Sequence, residues 1–78
     1  MSDRLKLIIA TILDIPPADV GDDASPETLA SWDSVKQMDL MLAVEDDFGV
    51  RFSDDEIATL TTYVAIRDAL LTRGETLT

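Results

Sequence analysis

Apolar residues recur at helical spacing in three stretches of this chain, and the intervals between them carry the punctuation. Leu5, Ile8, Ile9, Ile12 and Leu13 fall at i, i+3, i+4, i+7 and i+8, which predicts a first helix over about residues 3–13, stopped by Pro16-Pro17. Residues 14–33 sustain no period and are broken by Pro16, Pro17, Gly21 and Pro26. A connection of that length is long for a compact domain. Its large apolar residues, Ile15, Val20, Leu29 and Trp32, therefore predict a loop that packs down.

The most regular pattern follows and predicts a second helix over about residues 34–48, with Asp33 as N-cap and Gly49 as its stop. At about 100° per residue its apolar positions divide into two stripes. Leu40, Met41, Ala43, Val44 and Phe48 share one broad sector, the expected core face. Val35, Met38 and Leu42 lie opposite, interleaved with Asp39, Glu45 and Asp46. A helix in a small bundle needs only one apolar face, so the second stripe is exposed unless the long loop covers it. An apolar stripe framed by carboxylates suits docking against an apolar groove rimmed by Arg and Lys.

Ser53-Asp54-Asp55-Glu56 has the spacing of a capping box and predicts a short third helix over about 54–60, with Ile57 and Leu60 inward. Thr61-Thr62 offers another cap, and Tyr63, Ile66, Ala69 and Leu70 predict a fourth helix over about 62–72, leaving 73–78 as a fraying tail. The fold class is all-α: a single domain over 1–78, a four-helix bundle with a long first loop and a small third helix.

Charge narrows the partners. The chain has 16 acidic and 6 basic residues, a net charge of -10. Eight of the acids, Asp33, Asp39, Glu45, Asp46, Asp47, Asp54, Asp55 and Glu56, fall between 33 and 56, against Lys36 and Arg51. Such a field disfavours nucleic acid and anionic membranes and steers toward basic protein surfaces. The N-terminal residues lack the pattern of a signal peptide, and no stretch approaches the roughly 20 apolar residues of a membrane span. With no cysteine, the expectation is a cytoplasmic monomer held together by helix packing.

Candidate chemistry centres on Ser34, in Ser31-Trp32-Asp33-Ser34-Val35 at the mouth of the second helix. The chain has no histidine, so this serine lacks the usual base for nucleophilic catalysis. Lys36, on the first turn of a helix, is expected to be too exposed for that role. Calcium loops of the EF-hand kind fail as well. Gly49 or Gly21 at their invariant sixth position puts Val44 and Phe48, or Pro16, Ala18 and Val20, where oxygen ligands belong. Zinc and iron–sulfur sites lack their thiolates and imidazoles. Ser34 thus reads as an attachment point, with no catalytic residue in the chain.

In context the serine carries more. Trp32-Asp33-Ser34-Val35, then Met38-Asp39-Leu40-Met41-Leu42-Ala43-Val44-Glu45-Asp46-Asp47-Phe48-Gly49-Val50, then the capping box and Leu60-Thr61-Thr62, resemble the acyl carrier protein family over nearly the whole chain. The resemblance implies that fold, and a 4'-phosphopantetheine arm on Ser34, transferred from coenzyme A by a phosphopantetheinyl transferase. It implies a carrier of acyl thioesters for fatty-acid, polyketide or other specialised pathways, serving acyl-loading enzymes, synthases and acyltransferases. It makes Asp33 the acid that precedes the attachment serine and places enzyme contacts at Asp39, Glu45 and Asp46; with Asp33 and the apolar Val35, Met38 and Leu42 these form the expected recognition surface. The chain departs from the family's common pattern at Val35, usually leucine, at Lys36, often acidic or small, and at Trp32, which resembles carriers of specialised pathways. Asp33 argues against peptidyl carriers, which often have histidine there. The alternatives are an aminoacyl carrier of D-alanyl or peptidyl type and an unmodified acidic helical adaptor.

Overall fold

The first helix begins just after Asp3, its N-cap: the extended backbone of Asp3 turns the Oδ1 atom onto the amides of Leu5 and Lys6, at 3.0 and 3.1 Å. The structure is a computed structural model describing residues 3–77. It contains α1 (Arg4–Leu13), α2 (Ser34–Phe48), α3 (Asp54–Thr59) and α4 (Tyr63–Thr72), with no strand among the described residues. α1 ends before the prolines are reached, because Asp14 adopts a left-handed conformation with φ 57° and turns its amide back to Ala10 and Thr11. α2 ends at Gly49, whose φ of 67° is the left-handed geometry that glycine adopts without steric cost.

Burial follows the helical period. Leu5, Ile9 and Leu13 of α1, Leu40, Met41, Val44 and Phe48 of α2, and Tyr63, Ile66 and Leu70 of α4 form the core. Ala43, expected on that face, is only half-buried, as are Ile8 and Ile12. The long connection packs down, with Val20, Ala24 and Trp32 inside and Ile15 and Leu29 against their edge. It includes a 3₁₀ turn at Pro17–Asp19 that the sequence pattern did not reveal, the proline at its start supplying a pre-set φ. The carbonyl of Ala24 accepts from the Tyr63 amide at 3.0 Å, tying the connection to the start of α4. The Tyr63 hydroxyl donates to the other oxygen of Asp3. Burial, then that carboxylate, pushes the phenol up to about 12.

The expected fraying tail is a correction. The amide of Glu75 donates to the Leu70 carbonyl at 3.1 Å and that of Arg4 to the Leu77 carbonyl at 2.6 Å, while Leu77 packs half-buried on the core. The reason is mutual need: the first amide of α1 has no acceptor within its own helix, and Leu77 gains by leaving water. Thr78 lies outside the described residues.

α3 buries no residue fully and is held by its ends. Ser53 Oγ accepts from the Glu56 amide at 3.1 Å and Glu56 Oε1 from the Ser53 amide at 2.9 Å, the reciprocal capping box. Arg73, just after α4, donates to both carboxylate oxygens of Glu56, at 2.9 and 2.7 Å, and stacks on Phe52 with 4.7 Å to the ring centroid. The Ser53 amide first, and Arg73 second, hold the Glu56 carboxyl below its ordinary 4.5. A lowered folded value contributes stability that is complete above the unfolded one and is lost as pH falls through the folded one. Glu56→Gln is therefore expected to melt below wild type at neutral pH, with the gap closing well below pH 4.5. Thermal melts across that range check it; a gap unchanged in acid would show that the charge contributes nothing.

Candidate functional site

The start of α2 is built by Asp33. Its extended backbone, φ -114° and ψ -173°, lets Oδ1 accept from the Lys36 amide at 2.9 Å, while its carbonyl accepts from the Gln37 amide at 2.8 Å. Capping is thus complete without Ser34, the first residue of the helix. Ser34 is exposed, and its hydroxyl makes no hydrogen bond among the described residues. The first amides of a helix have no acceptor within it, and their partial positive charge favours an anion there.

Beside Ser34 opens a cavity of about 510 Å³, between the end of the long connection, the first turns of α2, and α3. Pro26, Trp32, Met38, Ile57 and Ala58 supply apolar surface; Asp33, Ser34, Gln37, Asp54 and Thr61 complete the lining. α1, α2 and α4 enclose the core between them. That interior is closed: Leu5, Ile9, Leu40, Val44, Ile66 and Leu70 fill it at no measurable exposure. The cavity lies where α3, which buries no residue fully, leaves α2 partly uncovered.

The opposite stripe of α2 is open to solvent, with Val35 68 %, Met38 48 % and Leu42 50 % exposed, so the long loop does not cover it. The stripe divides between two features. Met38 joins the cavity beside Ser34, and Leu42 lines a shallower depression with Glu45, Asp46, Val50 and Arg51. Asp39 and Asp46 are exposed and form no ion pair among the described residues, whereas Arg4, Lys6, Arg67 and Arg73 are paired with Asp47, Asp22, Asp68 and Glu56. Glu45 differs. It is half-buried, and its Oε2 accepts from the Phe52 amide at 2.6 Å, fastening the turn after α2. The sequence placed Glu45 with the exposed acids; its carboxylate also holds the fold.

Gln37 is the residue that sequence reasoning passed over. It is 7 % exposed, accepts from Trp32 Nε1 through Oε1 at 2.7 Å, and donates through Nε2 to the carbonyls of Ile57 and Leu60 at 2.9 and 2.8 Å. A signal existed: position 37 extends the core stripe of 40, 41, 44 and 48 by one turn toward the N-terminus. A polar residue on an apolar stripe announces a buried hydrogen-bond partner.

An unbonded serine hydroxyl at an open helix N-terminus, with apolar space alongside, fits a phosphodiester-linked arm. Among the described residues no helix is long and apolar enough to cross a membrane. Compared with known protein families, residues 3–70 match the one described as phosphopantetheine attachment site. With that match running from α1 into α4, the chain belongs to the phosphopantetheine-attachment family, as a carrier protein of acyl carrier type with a site for covalent 4'-phosphopantetheine.

Proposed function

We propose that Ser34 is the attachment residue, and that the chain carries acyl intermediates to separate enzymes of fatty-acid, polyketide or other specialised acyl pathways, itself catalysing nothing. The observation that carries this is the free Ser34 hydroxyl beside an apolar cavity. In the attachment step the Ser34 oxygen bonds to the phosphorus of coenzyme A that bears the pantetheine, the bond from that phosphorus to the bridging oxygen breaks, and adenosine 3',5'-bisphosphate leaves. The serine proton passes to a base of the transferase, since this chain has no histidine to take it. When bound, the arm supplies a thiol that holds acyl groups as thioesters.

The chain's own contribution is placement. The amides at the start of α2 face the phosphodiester's negative charge. Trp32, Met38 and Ile57 offer an apolar cargo a surface that withdraws it from water. Tethering raises the local concentration of cargo at each docked enzyme. Asp33, Val35, Met38, Asp39, Leu42, Glu45 and Asp46 form the recognition surface, and basic enzymes dock on it with fast exchange. In this reading the carrier acts as a cytoplasmic monomer.

Intact mass after co-expression with a broad-specificity phosphopantetheinyl transferase tests the attachment. One added phosphopantetheine, located on Ser34 by fragmentation, is the expected result; an unmodified protein would favour an acidic adaptor. For recognition, Asp39→Lys is expected to slow modification by about tenfold at low salt, without altering the melting temperature. Added salt should slow wild type more than the variant. Leu42→Ala should weaken docking with little salt dependence, since it removes apolar contact and no charge. Equal rates for wild type and Asp39→Lys at low salt would make Asp39 ordinary solvated surface.

A further inference from the structure

The chain's single tryptophan and the buried glutamine of α2 meet at the inner end of the Ser34 cavity. Trp32 is 2 % and Gln37 7 % exposed, whereas Pro26, Asp33, Ser34, Met38, Asp54 and Ala58 of the same lining are open to solvent. The exposed residues form the mouth, and the buried pair forms the wall behind it. Trp32 belongs to the packed core.

This wall is held by hydrogen bonds as well as by shape. Trp32 Nε1 donates to Gln37 Oε1 at 2.7 Å, and Gln37 Nε2 spends its hydrogens on the carbonyls of Ile57 and Leu60 at 2.9 and 2.8 Å. Those carbonyls stand at the C-terminal end of the six-residue α3 and have no acceptor role within the helix. An apolar side chain would fill position 37 with less desolvation. What glutamine adds is direction: it fixes the end of α3 and the edge of the indole to the first turn of α2.

We propose that Trp32 and Gln37 set the depth to which cargo enters the Ser34 cavity, making them the length-determining residues of this carrier for apolar acyl groups. The proposal rests on Ser34 being the attachment site. Each methylene that enters leaves water for an apolar lining and adds a similar increment of stability. A chain long enough to reach the pair must break the bonds from Gln37 to Ile57 and Leu60 to go further, leaving an amide and two carbonyls unpaired. Stabilisation therefore rises with chain length and then stops.

The test uses the full chain loaded by a promiscuous transferase from saturated acyl-coenzyme A thioesters, butanoyl through hexadecanoyl, with each loading verified by intact mass. Two quantities are read for every length: the melting-temperature gain over the unacylated pantetheinylated form, and the half-life of the thioester in hydroxylamine. In wild type both are expected to rise and then level off. Gln37→Met and Trp32→Phe are expected to move the levelling point to longer chains. A purely structural role would lower every melting temperature alike and leave that point in place, which overturns the proposal, as would a wild-type gain that never levels. Should Gln37→Met fail to fold, Trp32→Phe, which keeps a ring and loses the donated bond, decides the matter. Absence of a mass gain in wild type would instead refute Ser34 as the attachment residue and this proposal with it.

Discussion

Ser34→Ala is expected to abolish phosphopantetheine attachment completely while leaving the fold untouched. The substitution removes the side-chain hydroxyl at the first residue of α2, through which the proposed phosphodiester would be linked. Its structural cost is small because the cap belongs to Asp33, whose carboxylate already satisfies the Lys36 amide at 2.9 Å. Surface changes away from such features stay within about 0.5 kcal/mol. Normal helicity, an unchanged melting temperature and no mass gain after co-expression with a transferase form the expected triad of results. Full modification of the variant would sink the assignment of Ser34.

Phe48→Ala is expected to destabilise the protein most. The ring closes the core at the end of α2 at 7 % exposure, and the Arg4 guanidinium lies 4.3 Å from its centroid. Arg4 also donates to the carboxylate and carbonyl of Asp47, at 2.7 and 3.0 Å, so ring, cation and carboxylate form one joint between α1 and α2. Truncating a buried phenylalanine costs about 3–5 kcal/mol, with roughly 0.5–1 kcal/mol more for the cation lost from its face. A domain of this size has on the order of 4–12 kcal/mol in total. A fall in melting temperature of at least about 12 °C follows, with partial unfolding at room temperature at the upper end. An unchanged melting temperature would mean that the core stripe of α2 does not pass through Phe48.

Whatever depends on neighbours along the chain could be read from the sequence. Asp33 and Gly49 delimit α2 because a short carboxylate reaches an amide three residues on and because glycine accepts a left-handed turn. Ser53 and Glu56 cap α3 by the same local reach. The angular arithmetic of a helix separated Leu40, Met41, Val44 and Phe48 from Val35, Met38 and Leu42, since a small bundle has one inside. The missing histidine directed the reading of Ser34 toward attachment.

Other features required the chain to fold back on itself, and the sequence did not show which groups would meet. Gln37 falls on the core stripe, but the carbonyls to which it donates lie 20 and 23 residues away, where α3 ends. Glu45 resembled Asp46 until the turn after α2 brought the Phe52 amide within 2.6 Å. The tail packs because the open first amide of α1 meets the carbonyl of Leu77 at the far end of the chain. The cavity exists because a six-residue helix with no buried residue leaves one flank of α2 uncovered beside Ser34. Caps, turns and helix faces come from contacts a few residues long, so the sequence determined them; polar pairing and empty space arise between distant segments, and only the tertiary structure decided those.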